Sequence, residues 1–327
     1  MKSFYLIALI CILNGCTNEV QEGKKTPISN YFQNLDGESF SIDPTKDTII
    51  QLNSGTTVRI MDSSFVDASS GIVLDSIEIE FLEFSHFADI IYHNLSTLTE
   101  NAILESAGMM YVNAYTNSTL LRLRRPMSIN YNNGSMPNLD SLSLYRADIS
   151  RNYVKWSVDS ASVSQSSPVA ILVSGIDTLY HYGDGVFQAN NNSKFNYAFS
   201  MYIMGLFNLD REVESVPADV SVRSIKEFDS GYYAVAGSTV LIPAQFSKPV
   251  YFCNQIPFYA RNNNIYFIGI SKISKDRTEI VVIKLVNEPG TNIFKGDITK
   301  DDIQILTYNE FKKLIDSLLV ELDIKVE

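Results

Sequence analysis

Along most of the chain, apolar and polar positions alternate with the period-two rhythm of strands, in short runs closed by Gly, Asn, Asp, Ser or Pro. "DTIIQL", "TTVRI", "IVLDSIEIEF", "MMYVNAY", "SLSLYRA", "VAILVSG", "FNYAFSMYIMG", "DVSVRSI", "IYFIGISKIS" and "TEIVVIKLV" are all rich in β-branched and aromatic residues. In Ile77 to Phe81 the apolar Ile77, Ile79 and Phe81 alternate with Glu78 and Glu80, which predicts a half-buried strand with one wet face. Only the last run changes period. Phe311, Leu314, Ile315, Leu318, Leu319 and Leu322 form one stripe, and Thr307 followed by Glu310 has capping-box spacing. These patterns predict a mostly β protein of two β-sandwich-like domains, with a C-terminal amphipathic helix that packs on a sheet or covers an open edge.

Two segments echo each other and mark the two domains. "GTTVRIMDSSF" at 55 to 65 and "GSTVLIPAQF" at 237 to 246 both place a glycine turn before a Thr-Val-x-Ile strand. A phenylalanine then follows after a short polar link. Asn- and Ser-rich stretches at 130 to 138 and 189 to 194 are candidate boundaries. The expected division is residues 37–135 for the first β domain, 136–194 for a β linker region and 195–327 for the second β domain with its helix.

The first residues break this rhythm. Lys2 supplies a positive start, and Tyr5 to Leu13 is an uncharged apolar stretch too short to span a bilayer. Leu13-Asn14-Gly15-Cys16 then resembles the bacterial lipobox. The resemblance implies a signal peptide over 1–15, acylation of Cys16 and a flexible tether over 16–36. Two or three acyl chains on one residue hold a protein on a bilayer where a single chain binds only reversibly. A buried core cysteine, or a plain signal peptide cut elsewhere, are the alternatives. Of the other cysteines, Cys11 lies in the segment expected to be removed, so Cys253 could find no disulfide partner within the mature chain. Its surroundings, "PVYFCNQIPFY", read as a strand in which it is a small core residue.

Composition narrows the classes. The 327 residues are 45% hydrophobic and 19% charged, enough for two ordinary cores. Loss of residues 1–15 would remove one Lys and no acid, so the 26 Lys and Arg against 37 Asp and Glu become 25 − 37 = −12. An acidic surface argues against a nucleic-acid partner and against clinging to anionic lipid by charge.

The stretch "GTTVRIMDSSFVDASSGIVLDSIEIEFLEF", followed by "ILESAGMMYVNAY", resembles domains of the ZU-five type, with Met61-Asp62 where those domains carry a proline. "NYAFSMYIMGLFNLDREVES" is similar to a segment of envelope lipoproteins of Bacteroidota in which Gly-Trp-Ile-Asn-x-Asp-Arg is typical. Gly205, Asn208, Asp210 and Arg211 fit that pattern, while Leu206 and Phe207 depart from it. The resemblance covers about residues 40 to 290 and implies a binding module with no activity to carry over. Some members cut themselves at His-Phe-Ser, but His86-Phe87-Ala88 lacks the nucleophile.

Candidate chemistry is sparse. His86, Asp89 and His93 are the most tempting metal set, but strand alternation would put His86 on the face opposite Asp89 and His93, so no metal is expected there. Asp210-Arg211 reads as a structural ion pair in a turn leading into the second domain. There is no Gly-x-Ser-x-Gly elbow, phosphate-cradling Gly-x4-Gly-Lys, His-Glu-x-x-His or calcium loop, so no cofactor is expected. Six Asp-Ser/Thr-apolar triplets, among them those at Ser141, Thr178 and Ser317, are similar to the O-glycosylation sequon of Bacteroidota, and Ser141 and Thr178 are the candidate acceptors. The expectation is a non-catalytic binding or assembly module, lipid-anchored at the outer membrane, whose partners are the bilayer and an envelope protein or glycan. A glycan- or peptidoglycan-directed hydrolase using acidic residues, or a subunit of an outer-membrane uptake complex, are the alternatives.

Overall fold

A computed structural model describes residues 37–132, 142–150, 153–158, 169–173, 177–182, 185–188, 196–274 and 277–320. The fold is mostly β and sandwich-like, closed by a C-terminal helix. In the first sandwich, sheet I runs in the order Glu38–Ile42, Ile77–Phe84, Ile103–Thr116, Gly205–Val213, Ser143–Ser150, Tyr153–Val158. Sheet II runs Asn196–Met201, Met127–Asn132, Thr57–Ile60, Thr48–Gln51. In the second sandwich, sheet III is built on Ser215–Ser224 and Val250–Pro257, with Ile293–Ile298 added in parallel. Sheet IV runs Leu241–Pro243, Ser230–Val235, Ile265–Ser274, Arg277–Lys284, Ile303–Thr307. A separate three-stranded sheet joins Val169–Val173, Asp177–Tyr182 and Gly185–Gln188.

Alternation explains how the sheets stack. Ile77, Ile79 and Phe81 fill the core of the first sandwich, while Leu82 and Phe84 point the other way, into a third core. The same division runs through sheet IV. Tyr233, Phe267 and Val281 face the second sandwich's own core, and Tyr232, Ile268 and Ile280 face the third. The two sandwiches are therefore fused across a shared apolar layer. This corrects the expectation of one wet face on the strand after Ser76: Glu78 is exposed, but Glu80 is buried.

Pairing also moves the boundary. Asn196–Met201 pairs with Met127–Asn132, and Gly205–Val213 pairs with both Ile103–Thr116 and Ser143–Ser150. Residues 196–213, expected in the second domain, belong by hydrogen bonding to the first sandwich. The long strand Ile103–Thr116 carries a bulge: Leu209 lies opposite Gly108 but Asp210 opposite Ser106. The extra residue reverses the phase, so Leu104 and Met109 face the third core while Ala107 and Met110 face the first.

Two helices seal the third core. α1, Phe87–Tyr92, has all six residues buried and ends at His93, with Asn94 at φ 56° in the left-handed conformation that stops helices. α2, Tyr308–Val320, starts with the predicted capping box. Thr307 N and Oγ1 both donate to Glu310 Oε2 at 2.8 Å, and Glu310 N donates back to Thr307 Oγ1 at 3.3 Å. Phe311 and Ile315 enter the core and Leu314 packs against it. Among the described residues no helix is long and apolar enough to cross a membrane.

Candidate functional site

Two polar nodes are built into the layer between the sandwiches. The first is centred on the Asn-x-Asp-Arg segment. Gly205–Val213 is a central strand, and Asn208 and Asp210 are buried on it. Ser106 Oγ donates to Asn208 Oδ1 at 2.7 Å, and Asn208 Nδ2 donates to Asp210 Oδ2. From the second sandwich, Thr239 Oγ1 donates to the Ser106 carbonyl at 2.5 Å. Among the described residues Asp210 Oδ1 has no hydrogen-bond partner, and burial holds this carboxyl well above the usual carboxylate range.

Arg211 does not pair with Asp210. Its Nε and Nη2 reach Glu105 Oε2 across the strand pair at 2.9 and 2.7 Å, a charge-assisted grip between neighbouring strands. The reading of Asp210-Arg211 as a turn ion pair is thus corrected on both counts. The segment is a strand, and successive strand side chains point to opposite faces, so adjacent residues cannot pair.

The second node joins the two helices. Tyr308 OH donates to Asp89 Oδ1, with Lys312 Nζ 3.7 Å from the same oxygen. Burial raises the Asp89 pKa, against the opposing pull of the Tyr308 hydrogen bond and the Lys312 charge. His86 Nδ1 lies 3.5 Å from Asp316 Oδ2. His93 packs edge-on to Phe84 and Tyr92, and burial, helped by the Lys272 charge, pushes its pKa down to about 3. Lys272 Nζ sits 4.4 Å above the Tyr92 ring, whose other neighbours are Tyr308 and Phe311.

The strand geometry assumed for His86, Asp89 and His93 is also corrected, because they start, occupy and end α1. Each instead meets a different neighbour, and among the described residues no group of three His, Cys, Asp or Glu is placed to share a metal ion. Phe87, Ile90 and Ile91 do recur at i, i+3 and i+4, but over six residues this is too short a run to tell a helix from a buried strand.

A seam between the nodes stitches the halves together. Asn94 Oδ1 accepts from Ser230 Oγ at 2.9 Å and from Tyr232 OH, and Ser96 O accepts from Trp156 Nε1 at 2.6 Å. Thr97 Oγ1 accepts from Leu241 N at 2.7 Å. Elsewhere, Cys253 is buried, with its thiol pushed up to about 12 by desolvation. Thr178 is the second residue of Asp177–Tyr182, opposite Leu172, and Ser317 Oγ donates to Leu314 O within α2. Cys16 and Ser141 lie outside the described residues. No protein-family model matches the chain, and no curated protein or solved structure does either.

Proposed function

We propose that the chain is an envelope lipoprotein, acylated on Cys16, whose fused sandwiches serve binding or assembly rather than turnover. The observation that carries this reading is the N-terminal sequence: Lys2, the apolar run to Leu13, then Asn14-Gly15-Cys16. The use made of three of the four acids buried among the described residues supports the non-catalytic part. Glu105 is engaged by Arg211, Asp89 by Tyr308 and Lys312, and Asp210 by Asn208. A glycan hydrolase needs two carboxyl groups that converge on a cleft open to substrate. These three instead tie strands and helices to one another.

The test is Cys16→Ala in a bacterial host that acylates exported cysteines. Incorporation of a fatty-acid analogue should disappear, and the chain should leave the membrane fraction or persist with its leader uncut. Labelling of the variant as strong as that of the parent would defeat the assignment.

A further inference from the structure

The pole of the first sandwich farthest from the second carries exposed apolar side chains on three separate turns. At one end of the long strand Ile103–Thr116, Ile103 is buried in the core of the second sandwich. At the other end the chain turns through Asn117 and Ser118, both with positive φ, into Thr119–Leu120. Leu120 lies opposite Tyr115 and Gly205 opposite Val112, and strand Ile77–Phe84 occupies the other flank of the long strand over that stretch. Leu120 and Gly205 thus share one flank, three residues or about 10 Å apart. The loop before Gly205 exposes Tyr202 and Ile203. The third turn reaches the same pole: Thr116 Oγ1 donates to Ser76 O at 3.3 Å, and Leu74, two residues earlier, is 71% exposed. Ile72, also exposed, bridges to Val66 beside Arg122.

We propose that these tips dip into the surface of the lipid bilayer to which the chain is tied; the inference rests on the acylation of Cys16. Three features favour lipid over a protein partner. Apolar side chains raised on separate turns enter a fluid phase independently, whereas a protein partner would need a matching rigid surface. Tyr202 brings an aromatic ring suited to the headgroup region. Of the arginines in "RLRR" at this pole, Arg125 pairs with Asp62 and Arg122 donates to the Asp67 and Ala68 carbonyls, while Arg124 is exposed with no acidic partner among the described residues, one cation placed to meet a lipid phosphate. The tether reaches. Strand Glu38–Ile42 runs toward this pole, since Ile42 lies opposite Ile77, so the start of the strand is about 17 Å from it. The twenty-one residues 16–36 span at most about 70–75 Å.

The test supplies the anchor chemically, so that it does not depend on acylation in cells. The full chain from Cys16 onward, carrying Ile203→Trp, is coupled through the Cys16 thiol to a maleimide lipid in phosphatidylethanolamine–phosphatidylglycerol vesicles; the buried, high-pKa Cys253 is spared. Lipids brominated in their acyl chains should quench the new tryptophan, over the background of the buried Trp156. They should not quench the same reporter at Ile305, exposed on the second sandwich. Adding Leu74→Asp to the Ile203→Trp chain should lower the ratio of inserted to free pole about tenfold, the effect of losing one aliphatic side chain from the apolar phase. Equal quenching at the two positions, or none at Ile203→Trp, overturns the proposal. Self-association of the chain in solution that Leu74→Asp abolishes, without quenching by lipid, would instead give the pole to a second copy.

Discussion

Gly108 shows how much of this architecture turns on single residues. Its φ of +133° is closed to L side chains, and a Cβ there would collide with the Tyr131 hydroxyl. The bulge that reverses the phase of the long strand therefore requires glycine. Gly108→Ala should destabilise the protein by about 3 kcal/mol or more, combining backbone strain with overpacking, as read by urea unfolding. A loss below about 1 kcal/mol would show that the bulge tolerates a side chain. Asp210 gives a second prediction, in pH. Its folded pKa is raised above its unfolded value near 4, so the folded chain holds the proton more tightly. The stability this confers is complete below pH 4 and is lost as pH rises toward the folded value. Asp210→Asn removes the titration while keeping the shape. The variant should therefore gain on the parent as pH rises from 4 to 8. A difference between the two that is flat across this range would refute the raised pKa of the buried carboxyl.

Among the elements, α2 was the most legible in sequence because its apolar residues fall on one stripe and its cap is local. Thr307→Ala removes one reciprocal half of the capping box and should cost about 1 kcal/mol of stability. Thr307→Ser keeps the hydroxyl and should cost much less; equal losses would mean that packing, not capping, holds the helix start. The alternating strands were legible for the same reason, each pattern being complete within its own segment. Two elements were not. α1 is buried all round, which erases the amphipathic contrast, and six residues are too few for a period to stand out. Gly205–Val213 is covered on both faces, with Leu206 in the third core and Phe207 and Leu209 in the first. Its polar Asn208 and Asp210 then imitate a turn. What hid both elements is the layer between the sandwiches, which no local pattern announces.

At the scale of the whole molecule, that layer decides how the protein unfolds. Among the described residues its core holds 21 buried apolar residues, against 22 and 18 in the two sandwiches. An inter-domain surface is ordinarily the weak plane of a two-domain chain. Here, separating the halves would expose as much core as opening either sandwich, and would also break the Thr239–Ser106, Thr97–Leu241 and Tyr232–Asn94 hydrogen bonds. The sandwiches should therefore unfold together. Trp156, the only tryptophan, lies in sheet I and is buried in the shared layer, so it reports on that layer and on the first sandwich. Val220 is fully buried in the second sandwich's own core, outside the shared layer. Val220→Ala should cost about 2 kcal/mol for the lost methyls and the cavity. If the halves are one cooperative unit, that loss lowers the urea midpoint of Trp156 fluorescence by the same amount as that of the far-ultraviolet circular dichroism. Independent sandwiches would split both curves, with part of each signal keeping the parent's midpoint, because the energy lost in one core would then never reach the other.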